Sequence, residues 1–393
     1  MATIEAAFPF IEVTIDTSAL RPVAQRSPSV VAVVGVTPSG APGGDAQLNT
    51  PIQVSTLDDA VTRFARKKPD GTVAETPLYS SLALAMEQDP KPSRIYGVRA
   101  EAGKYAAALA GLEAADDVTF VSLAREVDVG AAATDAAAAT GLLALKAHVE
   151  AMSAQGNKRI GVAMVDPARQ KSAAYVKDLL TAVAPLRSDS SRMVLVAARG
   201  ATGDVATAAM AAMAGFPPQA SILLKPVRGI SIPIEQQYSP SEIRALSEEN
   251  VIPIIDPALI PGESLHLAEG RCFTSNADLL YVDIVRVLDD IDFRLKAGLV
   301  GAVGDARITK PGLTALGLRT EGILGPLQRA AVIDAFTVSI PVLDILNVPE
   351  SARTPTDTAI VTTARASRSV DMLVTVVYGP AVHRLKVTLA PKF

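Results

Sequence analysis

With 393 residues the chain is long enough for two or three domains and a sizeable core. Its 37 Lys+Arg against 41 Asp+Glu leave a formal net charge of −4 with no block of like charges, so it lacks the basic face a nucleic-acid binder needs. Aromatic residues make up 4%, with no Trp, which leaves few rings for base- or sugar-stacking platforms, and Cys272 is alone, so neither an internal disulfide nor a thiolate zinc site can form.

The opening residues, MATIEAAFPFIEV, have neither the basic region nor the apolar stretch of a signal peptide. The most apolar run, Gly130 to Leu145, carries Asp135 and is too short to span a bilayer, so the expectation is a soluble protein without direct membrane insertion. Within Phe8 to Asp16, Ile11, Val13 and Ile15 alternate with Glu12, Thr14 and Asp16, the period of a half-buried strand. Residues 1–28 therefore read as an extended arm carrying one strand and a linker.

Residues 29–100 read as the first α/β part of a core. Val30 to Val36 is a continuous apolar run, as in a strand buried on both faces. The Gly/Pro loop after it has no GxGxxG, no Gly-Lys-Ser/Thr and no helix opening directly behind it, so a phosphate-binding role is not supported. A short strand at 48–54, a helix from Leu57 to Phe64 capped by Ser55 or Thr56, a helix from Leu78 to about Gln88 and a strand at 94–99 follow. Residues 101–245 form a βαβ domain. Helices at 104–114, about 135–154, 168–184 and 205–214 alternate with strands at 118–123, 159–165 and 193–197, which predicts a mainly parallel sheet.

Residues 246–370 read as an α+β domain, just after a capping box at Ser239-Pro240-Ser241-Glu242. The strongest helix signal is Asp278 to Leu299. There Leu280, Ile284, Val287, Leu288, Ile291 and Leu295 form an apolar stripe, and Asp283, Arg286, Asp289, Asp290, Arg294 and Lys296 are expected on a solvated face. A helical region starts near Thr309. Phe336 to Leu346 reads as extended and proline-interrupted, and Thr358 to Thr363 as β. Residues 371–393 form a terminal arm: Met372 to Tyr378, with Val374 and Val376, is apolar and β-branched, Tyr378-Gly379-Pro380 supplies a turn, and Leu385, Val387 and Leu389 alternate with polar residues almost to the end. Such a strand needs a neighbour, in the same chain or in another copy.

Catalytic chemistry finds little support. Polar candidates at the carboxyl ends of the parallel strands are Arg125, Glu126, Asp166, Arg199 and Asp204, and Asp166 and Asp204 read best as helix caps. His148, His266 and His383 have no metal-ligand spacing, GxSxG is absent, and the Asp289, Asp290 and Asp292 side chains point apart on a helix. No catalytic residue, cofactor or metal is assigned.

Three stretches resemble the tail sheath proteins of contractile phage tails and related contractile injection systems. The first is the strand, Gly/Pro loop and LNTPIQVSTLDDAVTRF of Val30 to Phe64, continued by the helix and IYGVRA strand of Leu78 to Arg99. The second is Gly270-Arg271-Cys272 with the helix LLYVDIVRVLDDIDFRL. The third is the terminal hydrophobic strand, Tyr-x-Pro and alternating strand. The chain departs from the family where Trp-Gly often precedes the arginine; here the segment reads His266-Leu267-Ala268-Glu269-Gly270-Arg271. The resemblance implies an α/β core with a mainly parallel central sheet, an α+β C-terminal domain, and extended N- and C-terminal β arms. It implies homo-oligomers built as six-fold rings stacked around an inner tail tube protein, with baseplate and tail terminator proteins as partners and no direct nucleic acid. Assembly would occur in the bacterial host cytoplasm, and the product would be a virion tail or an injection-system particle. Ile11, Val13, Ile15, Val374, Val376, Leu385, Val387 and Leu389 would be exchanged between neighbours by β-augmentation. Two other readings are a different self-assembling shell or filament protein and a ligand-binding or enzymatic α/β protein using Asp166 and Arg199.

Overall fold

The computed structural model of the chain describes residues 27–37, 44–133, 138–262 and 265–383. They belong to two compact units. The larger holds Ser27–Ile291, Gln328–Ala335 and the described residues from Val376, and the smaller holds Asp292–Leu327 and Phe336–Thr375.

In the larger unit the elements run β1 (Val30–Val36), β2 (Pro51–Val54), α1 (Leu57–Phe64), β3 (Arg66–Lys67), β4 (Val73–Ala74), α2 (Pro77–Glu87), β5 (Arg94–Ala100) and α3 (Tyr105–Gly111). They continue with β6 (Phe120–Leu123), α4 (Gly141–Ala154), β7 (Ile160–Met164), α5 (Tyr175–Val183), β8 (Met193–Ala197) and α6 (Val205–Gly215). β9 (Pro226–Val227), α7 (Pro240–Glu248), β10 (Ile252–Ile255), β11 (Leu265–Leu267) and the start of α8 (Val282–Leu299) complete it. Nine strands form one sheet in the order β2-β5-β1-β6-β7-β8-β10-β11-β9. β5, β1, β6, β7, β8 and β10 are mutually parallel, while β2, β11 and β9 pair antiparallel. One sheet thus runs through both 29–100 and 101–245.

β1 shows why a continuous apolar run makes a central strand. Val31 and Val33 point into one core with Phe64, Leu78, Leu82 and Phe120, and Val30, Ala32 and Val34 into the opposite core with Leu109, Leu112 and Leu142. α1, α2 and α6 cover the first face, and α3, α4, α5 and α7 the second. α6 is buried all round, which its sequence VATAAMAAMAG permits: small side chains let it sit close to the sheet and to α2.

Several helices begin later than the periodicity predicts. α5 starts at Tyr175, not Ala168, because Asp166 Oδ1 accepts from Ala168 N at 2.9 Å and closes a turn ahead of the helix. α8 starts at Val282, not Asp278, because Asn276 Oδ1 accepts from the backbone of Asp278 and Leu279 at 2.9 and 3.2 Å. α4 starts at Gly141.

On α8 the buried face also differs from the expected stripe. Val282, Val285, Val287 and Ile291 are buried, Leu288 is exposed, and Asp283 and Arg286 are buried, not solvated. Arg286 lies inside because it donates to the carbonyls of Met213 and Phe216 at 3.0 and 2.7 Å. These are the acceptors left over at the end of α6. Its guanidinium also sits 5.3 Å from the centre of the Phe120 ring. Burial lowers the Arg286 pKa to about 10. Asp289 is likewise taken from the solvated face, by a two-pronged pair with Arg192 at 2.6 and 3.0 Å.

The smaller unit contains most of α9 (Lys310–Arg329) and β12 (Ala335–Ser339), then α10 (Pro341–Asn347), α11 (Pro355–Ser367) and most of β13 (Leu373–Val377). Its core is Leu313, Ile340, Val342, Leu346, Val361 and Ala364. Two expectations are corrected here. Thr358–Thr363 is helical, not β: Thr354 caps α11, Pro355 opens it and Asp357 completes a capping box, which overrides the β preference of the threonines. Pro341 does not interrupt a strand; it opens α10 directly after β12.

Candidate subunit-linking surfaces

β12 and β13 form a two-stranded sheet, and among the described residues no third strand pairs with it. Along β13, Val374 and Val376 are half-buried while Leu373 and Val377 are 64% and 49% exposed. A two-stranded ribbon is marginal by itself, and its outer edges carry N–H and C=O groups able to template another strand. β13 thus has one edge satisfied inside the chain by β12. The other predicted strand-exchange residues, Ile11, Val13, Ile15, Leu385, Val387 and Leu389, lie outside the described residues. At the ends of the large sheet, β9 has only two residues and β2 four, and each includes a proline (Pro226 and Pro51), the kind of short edge that resists further pairing.

The carboxyl ends of the parallel strands test the ligand-binding alternative. The chain runs from β1 out to β5 and returns to β6 on the other side of β1, so a switch-point crevice belongs between β1 and β6. Asp204 fills the polar demand there. Fully buried, it accepts from Thr207 N at 3.0 Å, Thr207 Oγ1 at 2.6 Å, Ser81 Oγ at 2.7 Å and Arg125 N at 3.1 Å. It caps α6, as the sequence predicts, and ties α2 and the end of β6 to that cap.

Arg199 is equally committed. It donates to Glu242 at 2.6 Å and to the carbonyls of Gln236 and Gln237 at 3.1 and 3.2 Å, and its guanidinium lies 4.6 and 4.8 Å from the Tyr175 and Tyr238 ring centres. The hydrogen bond from Arg199 is the main cause that lowers the Glu242 pKa to about 2. The same Glu242 completes the predicted Ser239 capping box. His266 lies not in a loop but in β11, paired with β9 and β10. Among the described residues no three His, Cys, Asp or Glu side chains gather as a metal site. No described helix is long and apolar enough to cross a membrane.

His148 is held in α4 beside Arg159, with Nε2 2.8 Å from the guanidinium. Burial first, and then the Arg159 charge, depress its pKa from 6.5 to about 3. The unfolded chain therefore takes up a proton near pH 6.5 while the folded chain does not. This contribution to stability is complete above pH 6.5 and is lost progressively as the pH falls toward about 3, by at most about 1.4 kcal/mol per pH unit. Chemical denaturation of His148→Gln at a series of pH values is expected to show a flatter decline than wild type between pH 6.5 and 4. An identical slope would contradict the assignment.

Sequence reasoning missed Tyr378 and Asp283. The Tyr378 hydroxyl donates to Asp283 Oδ2 at 2.8 Å. His383 Nε2 lies 2.9 Å from Ser221 Oγ, and its ring meets Tyr281 edge-on at 5.1 Å. The signal present was Tyr-x-Pro at 378–380, which reads only as a turn until the partner on α8 is known.

No protein-family model and no curated protein sequence matches the chain. Solved structures do. Superposition on the PVC sheath complex of an extracellular contractile injection system, in its contracted state, gives a TM-score of 0.66 at 11% identity, covering 99% of this chain and 98% of that one. The helical sheath of the anti-feeding prophage in its contracted state gives 0.59 at 11% identity, covering 98% and 99%. The sheath tail protein from Desulfitobacterium hafniense gives 0.56 at 11% identity, covering 84% and 93%. The chain has the fold of the sheath proteins of contractile tails and injection systems. That likeness extends over nearly the full length of both chains.

Proposed function

We propose that this chain is a structural sheath subunit. It polymerises as stacked six-fold rings around an inner tube and contracts to drive that tube through a target envelope. The observation that carries the reading is the end-to-end fold match to subunits of contracted sheaths. The β12–β13 sheet, whose outer edges no described strand pairs with, and the commitment of the sheet-end polar groups to internal bonds support a role in assembly, not in catalysis. The terminal strands at Ile11–Ile15 and Leu385–Leu389 are the donors, and the β12–β13 sheet of a neighbouring subunit is the acceptor. A contact of this kind is heterologous and propagates instead of closing on itself. Its partners are other copies, an inner tail tube protein, and baseplate and tail terminator proteins. The particle assembles in the bacterial host cytoplasm and works as part of a virion tail or an injection system.

Disulfide trapping tests the exchange. Strands that pair bring facing Cβ atoms to about 4.5–5.5 Å, close enough for a cysteine bridge after small adjustment. Chains carrying Val374→Cys are mixed with chains carrying Leu385→Cys, Val387→Cys or Leu389→Cys. At least one mixture is expected to give a cross-linked heterodimer on oxidation; Cys272 is buried and does not compete. Absence of any intermolecular bridge at all three positions, in protein that polymerises, would rule out the β13 sheet as the acceptor.

A further inference from the structure

The segment between β13 and the last ten residues is attached to the larger unit by side chains more than by packing. Gly379, Pro380, Ala381 and Val382 are all exposed, Val382 by 80%. On either side of them the chain is held. Val377 O accepts from Asp334 N at 2.8 Å, the Tyr378 hydroxyl donates to Asp283 at 2.8 Å, and His383 bonds Ser221 at 2.9 Å.

Asp283 is 4% exposed in the first turn of α8, where a buried carboxylate needs donors to offset its lost hydration. Burial, and then the bond to Asp283, push the Tyr378 phenol above its ordinary pKa, so it keeps the proton it donates. At the second anchor Ser221 Oγ also accepts from Leu223 N at 3.2 Å, so the backbone holds the hydroxyl that bonds His383. The His383 ring stands edge-on to Tyr281 at 86°, and the Arg271 guanidinium lies 5.7 Å from the centre of the Tyr281 ring. Between the anchors, Pro380 fixes one backbone angle and has no N–H to satisfy.

We infer that Tyr378 with Asp283, and His383 with Ser221 and Tyr281, form a clip that fixes where the C-terminal arm leaves the larger unit and so positions the strand it offers to a neighbour. The inference rests on the sheath reading. With the clip closed, Val387 at the middle of the offered strand lies four residues beyond the last anchor; with it open, it lies ten beyond Val377. The effective concentration of a tethered strand falls with roughly the −3/2 power of tether length, so opening the clip lowers it about four-fold before any loss of direction is counted. A hydrogen bond to a carboxylate is worth a factor of about ten or more, which sets the scale for local protection.

The test compares wild type with Tyr378→Phe, His383→Ala and the double variant, by hydrogen exchange and by sedimentation of polymer against protein concentration. In the double variant, amide protection over 379–383 is expected to drop about ten-fold or more. The polymerisation onset is expected to rise about four-fold or more, with the melting temperature of the larger unit retained. If Tyr378→Phe does not fold, His383→Ala alone carries the test, because it leaves no buried carboxylate without its donor. Unchanged exchange and unchanged onset, beside a wild type that polymerises, would overturn the clip and leave the sheath reading standing. A wild type that never polymerises would overturn both.

Discussion

Deleting Met1–Ala19, or ending the chain after Gly379, is expected to abolish polymerisation while leaving the larger unit folded. The deleted residues contain the alternating positions Ile11, Val13 and Ile15 at one end and Leu385, Val387 and Leu389 at the other. Among the described residues, the core clusters of both units are built from other residues. If these strands act by adding to a neighbour's sheet, losing either breaks one of two links per subunit, and a helical polymer with half its links removed has no cooperative growth. The expected result is a monodisperse species in analytical ultracentrifugation with the circular dichroism of the intact α/β unit. A truncated protein that assembles like the full chain would show that strand exchange is not the link. An unfolded product would show instead that the terminal strands complete the subunit's own fold.

Asp204→Ala is expected to act on stability. The substitution leaves the backbone N–H groups of Thr207 and Arg125 and the hydroxyls of Ser81 and Thr207 without their shared buried acceptor. Each unsatisfied buried donor costs about 1–3 kcal/mol, and because the Thr207 hydroxyl still has Ser122 Oγ at 2.9 Å the combined loss over the other three is on the order of 3–5 kcal/mol. For a unit of this size that is a fall in melting temperature of roughly 5–8 °C. Asp204→Asn keeps one acceptor oxygen and is expected to lose less. A ligand-binding role for the sheet's carboxyl edge would give the opposite pattern: a folded Asp204→Ala protein with near-normal melting and a lost binding function.

Much of the larger unit was legible in the sequence because local and tertiary signals agree there. The β1 run Val30–Val36 is apolar on both faces and is buried on both. Thr56 and Ser239 cap the helices their positions announce, with Thr56 Oγ1 accepting from Asp59 N at 3.1 Å. Residues 354–367 went the other way. The threonines suggested β, and Thr354-Pro355-Thr356-Asp357 carries the start signal of a helix, which wins because it satisfies backbone groups that an extended chain there would leave open.

Asp283 and Arg286 were not legible for a different reason. A charged residue on an amphipathic helix normally faces water, and only the chain's later folding brings the α6 carbonyls and Tyr378 against them. Long-range partners of this kind leave no local trace. Of the residues expected to link subunits, Val374 and Val376 lie on β13 with one edge already paired.

Negative-stain electron microscopy of the purified full-length chain across a range of concentrations tests the central claim most directly. The account predicts hollow cylinders with six-fold end views, appearing above a critical concentration. A monodisperse monomer that persists at the highest concentration reached would contradict it.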